Sequence, residues 1–245
     1  AVAFADEGVL LRERGITMPV VVLNADADSF DQMITNRLEP EIYSFRSLAD
    51  FADAVSHAGE TRYPVHIKLD TGMHRLGFME GEIGRLCEVL PTLPAVKVAS
   101  VFSHLNCADM PGEDAYTREQ IARYDRMSAA VAASLPYSVI RHTANSAAIE
   151  RFPEARFDMC RLGLGLYGFG WEHNAGLRPV SALKTRIVQI KRLEAGDAVG
   201  YGRAGKLLRP TVTATVPIGY ADGLDRHLGC GRWSMRVAGR PAPIV

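Results

Sequence analysis

The sequence has little cysteine and no excess of charge of either sign. Its 245 residues include four cysteines, which are widely spaced and form no CxxC pair. Neither a zinc site nor a disulfide framework is therefore indicated, and a reducing compartment such as the cytoplasm fits best. Lysine plus arginine equals aspartate plus glutamate at 28 each. This balance gives no electrostatic reason to expect a nucleic acid or a membrane surface as a partner.

Long apolar runs are also missing. No stretch approaches the roughly 20 apolar residues that a membrane-spanning helix needs, so the sequence predicts no membrane partner. What the chain has is an ordinary globular composition, 47% hydrophobic and 23% charged. A chain of this size can bury one large core or two smaller ones.

Up to Tyr167 the chain alternates between short apolar strands and amphipathic helices. We predict strands at Ala1–Phe4, Val20–Leu23, Glu41–Ser44, Val65–Asp70, Val96–His104, Val139–Ala144 and Met159–Tyr167. The predicted helices cover Asp6–Arg14, Ala27–Arg37, Arg46–His57, Glu80–Leu90, Glu113–Leu135 and Ser146–Arg151. This alternation is typical of parallel βαβ units. We expect an α/β fold, a (β/α)8 TIM-type barrel whose first strand precedes Ala1, with an open doubly wound sheet as the alternative.

The pattern changes after Phe169. The stretch Gly170–Pro179 is rich in Gly, Asn and Pro, as linkers are. Beyond it, short strands separated by Gly, Asp and Pro are predicted at Ala198–Tyr201, Val212–Ile218 and Met235–Val237. We therefore predict two domains, a barrel over 1–172 and a truncated all-β domain over 173–245.

Polar side chains concentrate where the predicted strands end. The stretch His66–Phe78, HIKLDTGMHRLGF, delivers Lys68, Asp70 and Arg75 to the end of one strand. Later strands end in three further groups, which are Ser103, His104 and Asn106, then His142, Asn145 and Ser146, then Arg161 and Gly163. Since a barrel brings the carboxyl ends of its strands to one face, we expect these side chains to converge there.

Two features of this set suggest that the site binds an anion. Asn145 and Ser146 precede a short helix, where Asn145 could serve only as a helix cap. The same helix start, with the Ser146 hydroxyl and the N–H groups of Gly163-Leu164-Gly165, could instead bind a phosphate. Each histidine alone could be an ordinary buried one. Two histidines, two arginines and a phosphate grip at one barrel mouth together predict a phosphorylated ligand held without a metal.

The chain resembles alanine racemase in six blocks of sequence: HIKLDTGMHRLGF (66–78), FSHLNCAD (102–109), HTANSAAI (142–149), RLGLGLYG (161–168), GYGR (200–203) and IGYADG (218–223). That family comprises isomerases with a barrel, a C-terminal β domain and the cofactor pyridoxal 5′-phosphate (PLP). The resemblance implies a cytoplasmic enzyme that interconverts L- and D-alanine with two bases and supplies D-alanine for peptidoglycan. It also implies that the PLP-bearing lysine precedes Ala1 and that further contacts follow Val245, so these 245 residues alone would be inactive.

The resemblance assigns the proton-transfer and ring-binding roles to four residues. Tyr201 matches the base that acts on the L-alanine side, while the missing lysine would be the other base. His104 matches the residue hydrogen-bonded to that tyrosine. Arg161 matches the arginine that links His104 and His142 to the pyridine nitrogen of PLP. An arginine there donates a hydrogen bond without readily giving up a proton. The pyridine nitrogen then stays unprotonated, and the ring withdraws electrons less strongly.

The remaining roles concern phosphate, substrate and assembly. The matches to the phosphate-binding and other PLP-binding positions are Asn145, Ser146, Gly163 and Leu164. Arg75 matches a residue that contacts the phenolic oxygen of PLP and the substrate carboxylate. Lys68 matches a lysine that is often carbamylated in the family and then orients Arg75, which requires a lowered pKa. Tyr201 and Tyr220 would act in the partner's site of a head-to-tail homodimer. His74 departs from the family, which usually has a small residue there.

Three other readings involve PLP. A basic amino-acid decarboxylase would carry an acid rather than Arg161 at the pyridine nitrogen, so it is disfavoured. A racemase of broader specificity remains open, because pocket residues of the family lie beyond Val245. A non-catalytic PLP-binding barrel would lack a second domain, against which Ser181–Val245 speaks.

Overall fold

A computed structural model describes residues 1–171 and 176–245. The chain forms two compact units, Ala1–Val180 and Ser181–Val245. The predicted domain boundary between residues 172 and 173 lies outside the described residues. Within the described ranges, every helix is too short or too polar to cross a bilayer.

The first unit alternates strands and helices, as predicted. Its strands are β1 (Val21–Val22), β2 (Glu39–Ile42), β3 (Tyr63–Lys68), β4 (Val96–Phe102) and β5 (Ile140–His142). Its helices are α1 (Ala5–Glu13), α2 (Phe30–Thr35), α3 (Phe45–His57), α4 (Ile83–Val89), α5 (Asp114–Ala133) and α6 (Ser146–Arg151). The strands pair in parallel in the order β1-β2-β3-β4-β5. A doubly wound sheet would reverse its strand order at a switch point, so this sequential order confirms the barrel-type fold.

The two ends of the predicted strand series differ from expectation. Ala1–Phe4 contributes a single parallel bridge, from Val2 to Val22, rather than a full strand. The predicted strand Met159–Tyr167 is wrong, because its second half is a 3₁₀ turn over Leu164–Tyr167. The physical reason is glycine at positions 163, 165 and 168, which offers a sheet no side chains to pack. Only the first half runs beside β5, where the Arg161 N–H donates to the Ala144 carbonyl at 2.9 Å.

The two faces of β3 carry side chains of different polarity. Val65, Ile67 and Leu69 are fully buried in a hydrophobic core that also contains Leu48 and Phe51 of α3. Since side chains alternate across a strand, His66 and Lys68 point the other way, into the barrel. The sheet thus presents an apolar outer face to the helices and a polar inner face to the barrel interior.

A bulge in β4 keeps its side chains in phase with those of β3. Val65 pairs with Val98, but the next residue, His66, pairs with Ser100, so Ala99 is the extra residue. Val98 lies in the outer hydrophobic core. Because of the bulge, Ser100 shares the inner face with His66.

The loop after β3 folds back on the strand that it leaves. The Phe78 N–H donates to the Lys68 carbonyl and the Asp70 N–H donates to the Phe78 carbonyl, both at 2.9 Å. A side chain at Gly77 (φ +125) would place its Cβ 2.7 Å from the Asp70 nitrogen, so the closure needs glycine. His74 has φ 52, in the left-handed region. Glycine adopts that region without strain, whereas a histidine there is uncommon.

The second unit is all-β, as predicted. Its strands are β6 (Gln189–Leu193), β7 (Ala198–Val199), β8 (Gly205–Lys206), β9 (Thr211–Thr215), β10 (Ser234–Val237) and β11 (Arg240–Pro243). They form three antiparallel pairs, β6 with β9, β7 with β8 and β10 with β11. The described residues of this unit contain no α-helix, only 3₁₀ turns, two of which begin at Tyr201 and Tyr220.

Candidate active site

An open cavity of about 910 Å³ lies in the first unit, where β3 and β4 end. The predicted site residues that line it are Lys68, Arg75, His104, Asn145, Ser146, Arg161, Gly163 and Leu164. His142 is buried and contacts the cavity-lining Arg161. Tyr201 and Tyr220 belong to the second unit, where their side chains are 76% and 59% exposed. The structure therefore brings together most of the predicted set from the barrel; Asn106 also lines the cavity, whereas Asp70 and Ser103 do not.

Arg161 is held by acceptors at the ends of β4 and β5. Its Nη1 donates to His142 Nδ1 at 2.8 Å and to the His142 carbonyl at 3.2 Å. Its Nη2 donates to the carbonyls of Ser103 and Thr143 at 2.6 and 3.1 Å, and lies 3.5 Å from His104 Nδ1. Within the described residues its Nε–H has no acceptor. Burial lowers the pKa of Arg161 to about 10, so the guanidinium remains charged at neutral pH.

Both histidines of the site are neutral at neutral pH. Burial, helped by the charge of Arg161, lowers the pKa of His142 to about 3 and that of His104 to about 4. The His142 ring stacks on Phe102 with ring centroids 5.0 Å apart. A neutral imidazole has one nitrogen that accepts, and the contact with Arg161 identifies Nδ1 as that atom in His142.

Lys68 and Arg75 place two further positive charges at the cavity. Lys68 is only 3% exposed, and its Nζ donates to the Leu76 carbonyl at 3.5 Å. Burial lowers the pKa of Lys68, an effect that Glu41 opposes and that Arg75 and Arg161 reinforce. The side chain of Arg75 has no hydrogen-bond partner among the described residues, so its guanidinium is available to a ligand.

The residues that were predicted to bind a phosphate meet at one hydroxyl. Ser146 Oγ accepts hydrogen bonds from the N–H groups of Gly163 and Gly165, at 2.9 and 3.2 Å. Asn145 caps α6, since its Oδ1 accepts from the Ala148 N–H at 3.0 Å. Its Nδ2 donates to the Leu105 carbonyl at 3.2 Å, so both ends of this amide are already engaged.

Sequence reasoning missed Glu41, which lines the same cavity and is 4% exposed. Its carboxylate has no hydrogen-bond partner among the described residues. Burial raises its pKa to about 7, against the opposing effect of Lys68, Arg75 and Arg161. The available signal was the alternation of Glu39 and Glu41 across Pro40, which places both carboxylates on one strand face. The strand begins at Glu39, two residues before its predicted start.

Replacing Glu41 by glutamine is expected to stabilise the protein in alkaline but not in acidic solution. The folded-state pKa of about 7 exceeds the unfolded value of 4.5, so folding binds a proton between these limits. The stability of the parent therefore falls as the pH rises from about 4.5 to about 7, whereas that of Glu41→Gln does not. We expect the variant to exceed the parent by roughly 1–3 kcal/mol at pH 8 and to match it at pH 4.

The measurement is the free energy of unfolding of both proteins, from denaturant titrations at pH 4, 6 and 8. Glu88→Gln, at an exposed position of α4, is the matched control for loss of a carboxylate. A difference between Glu41→Gln and the parent that is the same at all three pH values would contradict the prediction.

Both parts of the chain match models of one family. Residues 1–170 match the alanine racemase N-terminal domain, and residues 180–245 match the alanine racemase C-terminal domain. The alanine racemases of Symbiobacterium thermophilum and Sorangium cellulosum are 38% and 35% identical to this chain over its whole length. The chain spans about 65% of the length of each of these relatives.

Solved structures give the same result. The alanine racemase from Streptomyces coelicolor A3(2) matches 98% of this chain with a TM-score of 0.89 at 27% identity, over 66% of its own length. The alanine racemase from D-cycloserine producing Streptomyces lavendulae matches 98% with a TM-score of 0.88 at 30% identity, over 65% of its own length. With both domain models matched in order and relatives aligned over the whole of this chain, the chain belongs to the alanine racemase family.

Proposed function

We propose that the protein to which this chain belongs interconverts L-alanine and D-alanine with PLP as its cofactor. The observation that carries the proposal is Arg161, whose other four N–H groups are engaged while Nε–H remains available at the cavity. A charged donor that is fixed in place and open to the cavity, with its hydrogen bond unmade, favours a ligand atom that accepts from it. The pyridine nitrogen of PLP is an acceptor of the required kind.

The residues of the cavity fit the rest of that cofactor. Gly163 and Gly165 direct two backbone N–H groups to one oxygen, that of Ser146. A phosphate oxygen accepts from the same groups, and the Ser146 hydroxyl would then donate its own proton. His104, neutral and in the same cavity, adds a further polar contact without adding charge.

PLP, when bound, withdraws electrons and so acidifies the α-proton of an amino acid. The residues of this chain then have three tasks. Arg161 holds the ring nitrogen with a donor that keeps its proton, which favours return of the proton to Cα. Arg75, which has free donors, would bind the substrate carboxylate. Burial lowers the pKa of Lys68, which is the direction that the carbamylation implied by the family resemblance requires.

Two bases on opposite faces of the substrate complete the proposal. Tyr201 would exchange the proton on the L-alanine side, and the PLP-bearing lysine would do so on the other. The exposed side chains of Tyr201 and Tyr220 are free to act outside their own unit, which supports a homodimer with shared sites. Four free cysteines support a reducing cytoplasm, where D-alanine would be made for peptidoglycan.

The test is racemisation by the purified full-length protein supplied with PLP. We expect D-alanine to form from L-alanine, and L-alanine from D-alanine, at rates well above those with serine, lysine or arginine. Equal rates with several amino acids would instead indicate a broad-specificity racemase. Stable PLP binding without turnover of any amino acid would contradict the proposal in favour of a non-catalytic PLP barrel.

A further inference from the structure

A chain of four side-chain hydrogen bonds crosses the interior of the first unit behind Arg161. Arg161 Nη1 lies 2.8 Å from His142 Nδ1, and His142 Nε2 lies 3.0 Å from Ser100 Oγ. Ser100 Oγ lies 2.6 Å from His66 Nδ1, and His66 Nε2 lies 2.7 Å from Glu39 Oε2. Arg161 lines the large cavity, whereas Glu39 lines a second one of about 320 Å³. The series therefore connects two separate cavities.

The direction of the first two hydrogen bonds is fixed by chemistry. A guanidinium has only donors, so His142 Nδ1 must accept from Arg161. His142 is neutral, so its single ring proton is on Nε2. That proton can only be donated to Ser100 Oγ, the partner of Nε2.

The direction of the other two follows from the burial of Ser100, which is 1% exposed. Its oxygen contacts His142 and His66, and its own proton must go to an acceptor. Since His142 Nε2 donates, that acceptor is His66 Nδ1. The proton of His66 is then on Nε2 and is donated to the carboxylate of Glu39. A doubly protonated His66 would leave the buried hydroxyl proton without a partner, which is costly.

We propose that Glu39 is a remote positioning residue for Arg161: its carboxylate fixes the tautomer of His66 and the orientation of the Ser100 hydroxyl, so that Ser100 Oγ stays an acceptor for His142 Nε2–H and the His142 ring holds Arg161 with Nε–H toward the cavity. The proposal rests on the proposed function only in identifying what Arg161 faces. Every donor in the series points toward Glu39, and aligned hydrogen bonds polarise and strengthen one another. Without a terminal acceptor, the hydroxyl of Ser100 and the ring of His66 could reverse, and His142 would lose its fixed partner.

The test reads the histidine ring protons directly by NMR, on full-length protein labelled with 15N at histidine. In the parent we expect His66 and His142 each to carry one slowly exchanging proton on Nε2 and none on Nδ1. In Glu39→Leu we expect the His142 ring proton to exchange with solvent about tenfold faster, although His142 lies three hydrogen bonds from the substitution. Ser100→Ala breaks the series at its middle and should have the same effect on His142 with Glu39 intact.

Two variants separate this role from a merely structural one. Glu39→Gln retains an oxygen that can accept from His66 Nε2–H and should restore the slow exchange of the parent. Glu60→Gln removes another carboxylate that lines the second cavity, outside the series, and should leave the His142 signal unchanged. If the His142 ring proton exchanges in both Glu39→Leu and Ser100→Ala as slowly as in the parent, the proposal is overturned.

A second measurement tests whether the position of Arg161 depends on Glu39. We expect the dissociation constant for PLP, measured by its absorbance on titration, to rise about three- to tenfold in Glu39→Leu and to recover in Glu39→Gln. An unchanged dissociation constant in a variant whose His142 proton does exchange faster would overturn the link from the histidines to Arg161. Because the NMR experiment needs no turnover, failure of the proposed racemase activity would not be confused with failure of the series.

Discussion

Replacing Tyr201 by phenylalanine in the full-length protein is expected to slow racemisation by roughly 10²- to 10⁴-fold while the absorbance of bound PLP persists. This is the range that a positioned general acid–base group contributes. The substitution removes one hydroxyl from an exposed side chain in the second unit, so binding of cofactor in the barrel should be unaffected. The turn that presents the side chain is set by Gly200 and Gly202, with φ of 80 and 65, and accepts phenylalanine as readily as tyrosine.

Proton exchange distinguishes the two bases in this experiment. If Tyr201 serves the L-alanine side alone, Tyr201→Phe should still exchange the α-proton of D-alanine with deuterated solvent through the other base. Exchange from L-alanine should be lost along with racemisation. Tyr167→Phe, at an exposed tyrosine of the first unit, is the control. Unchanged racemisation in both directions by Tyr201→Phe would show that another group is the base.

The second large effect is expected at Arg161. Replacing it by methionine should lower the free energy of unfolding by roughly 3 kcal/mol, because the carbonyls of Ser103 and Thr143 and the His142 Nδ1 lose the donor that Arg161 supplies. Arg161→Lys keeps the charge, but a single ammonium group cannot reach the acceptors of both Nη1 and Nη2. We therefore expect a smaller loss of stability than in Arg161→Met. The same substitution by methionine should raise the pKa of His142 only partly, since burial is the larger cause of its low value.

Denaturant unfolding and a 15N NMR titration of His142 provide the two measurements. Arg156→Met is the matched control, because the side chain of this exposed arginine makes one hydrogen bond among the described residues, to the Ile149 carbonyl at 2.8 Å. A loss of stability in Arg161→Met no larger than that in Arg156→Met would contradict the role of Arg161 as the common donor of the strand ends.

Local signals were sufficient where the chain itself fixes the structure. The helix Ser146–Arg151 is observed within its predicted bounds, because Asn145 caps its start and Pro153 follows its end. The parallel pairing of the strands followed from alternation, since parallel strands need a crossover between them. The choice of a barrel over a doubly wound sheet needed the strand order that the structure shows. The gathering of Lys68, His104, Ser146 and Arg161 followed from the barrel, because its strands end on one face.

The failures concern properties that only tertiary contacts decide. Met159–Tyr167 was predicted to be a strand. After Arg161 the chain departs from the sheet, because the glycine-rich segment that follows forms a 3₁₀ turn. In the second unit, the pairing of β6 with β9 joins residues 189 and 215, a distance along the chain that no local pattern encodes. The low pKa of His142 and the raised pKa of Glu41 arise from burial, which cannot be judged before the fold is known.

The bulge at Ala99 determines which side chain the two buried histidines share. Before it, Val96 and Val98 supply hydrophobic contacts, and after it Val101 does so, while Ser100 and Phe102 have changed sides. A regular strand would point Ser100 at the helices and leave His66 and His142 without the hydroxyl that joins them. Deleting Ala99 would therefore disconnect the two histidines without altering either of them. One inserted residue can thus give an enzyme a new internal connection while every side chain that it connects stays the same.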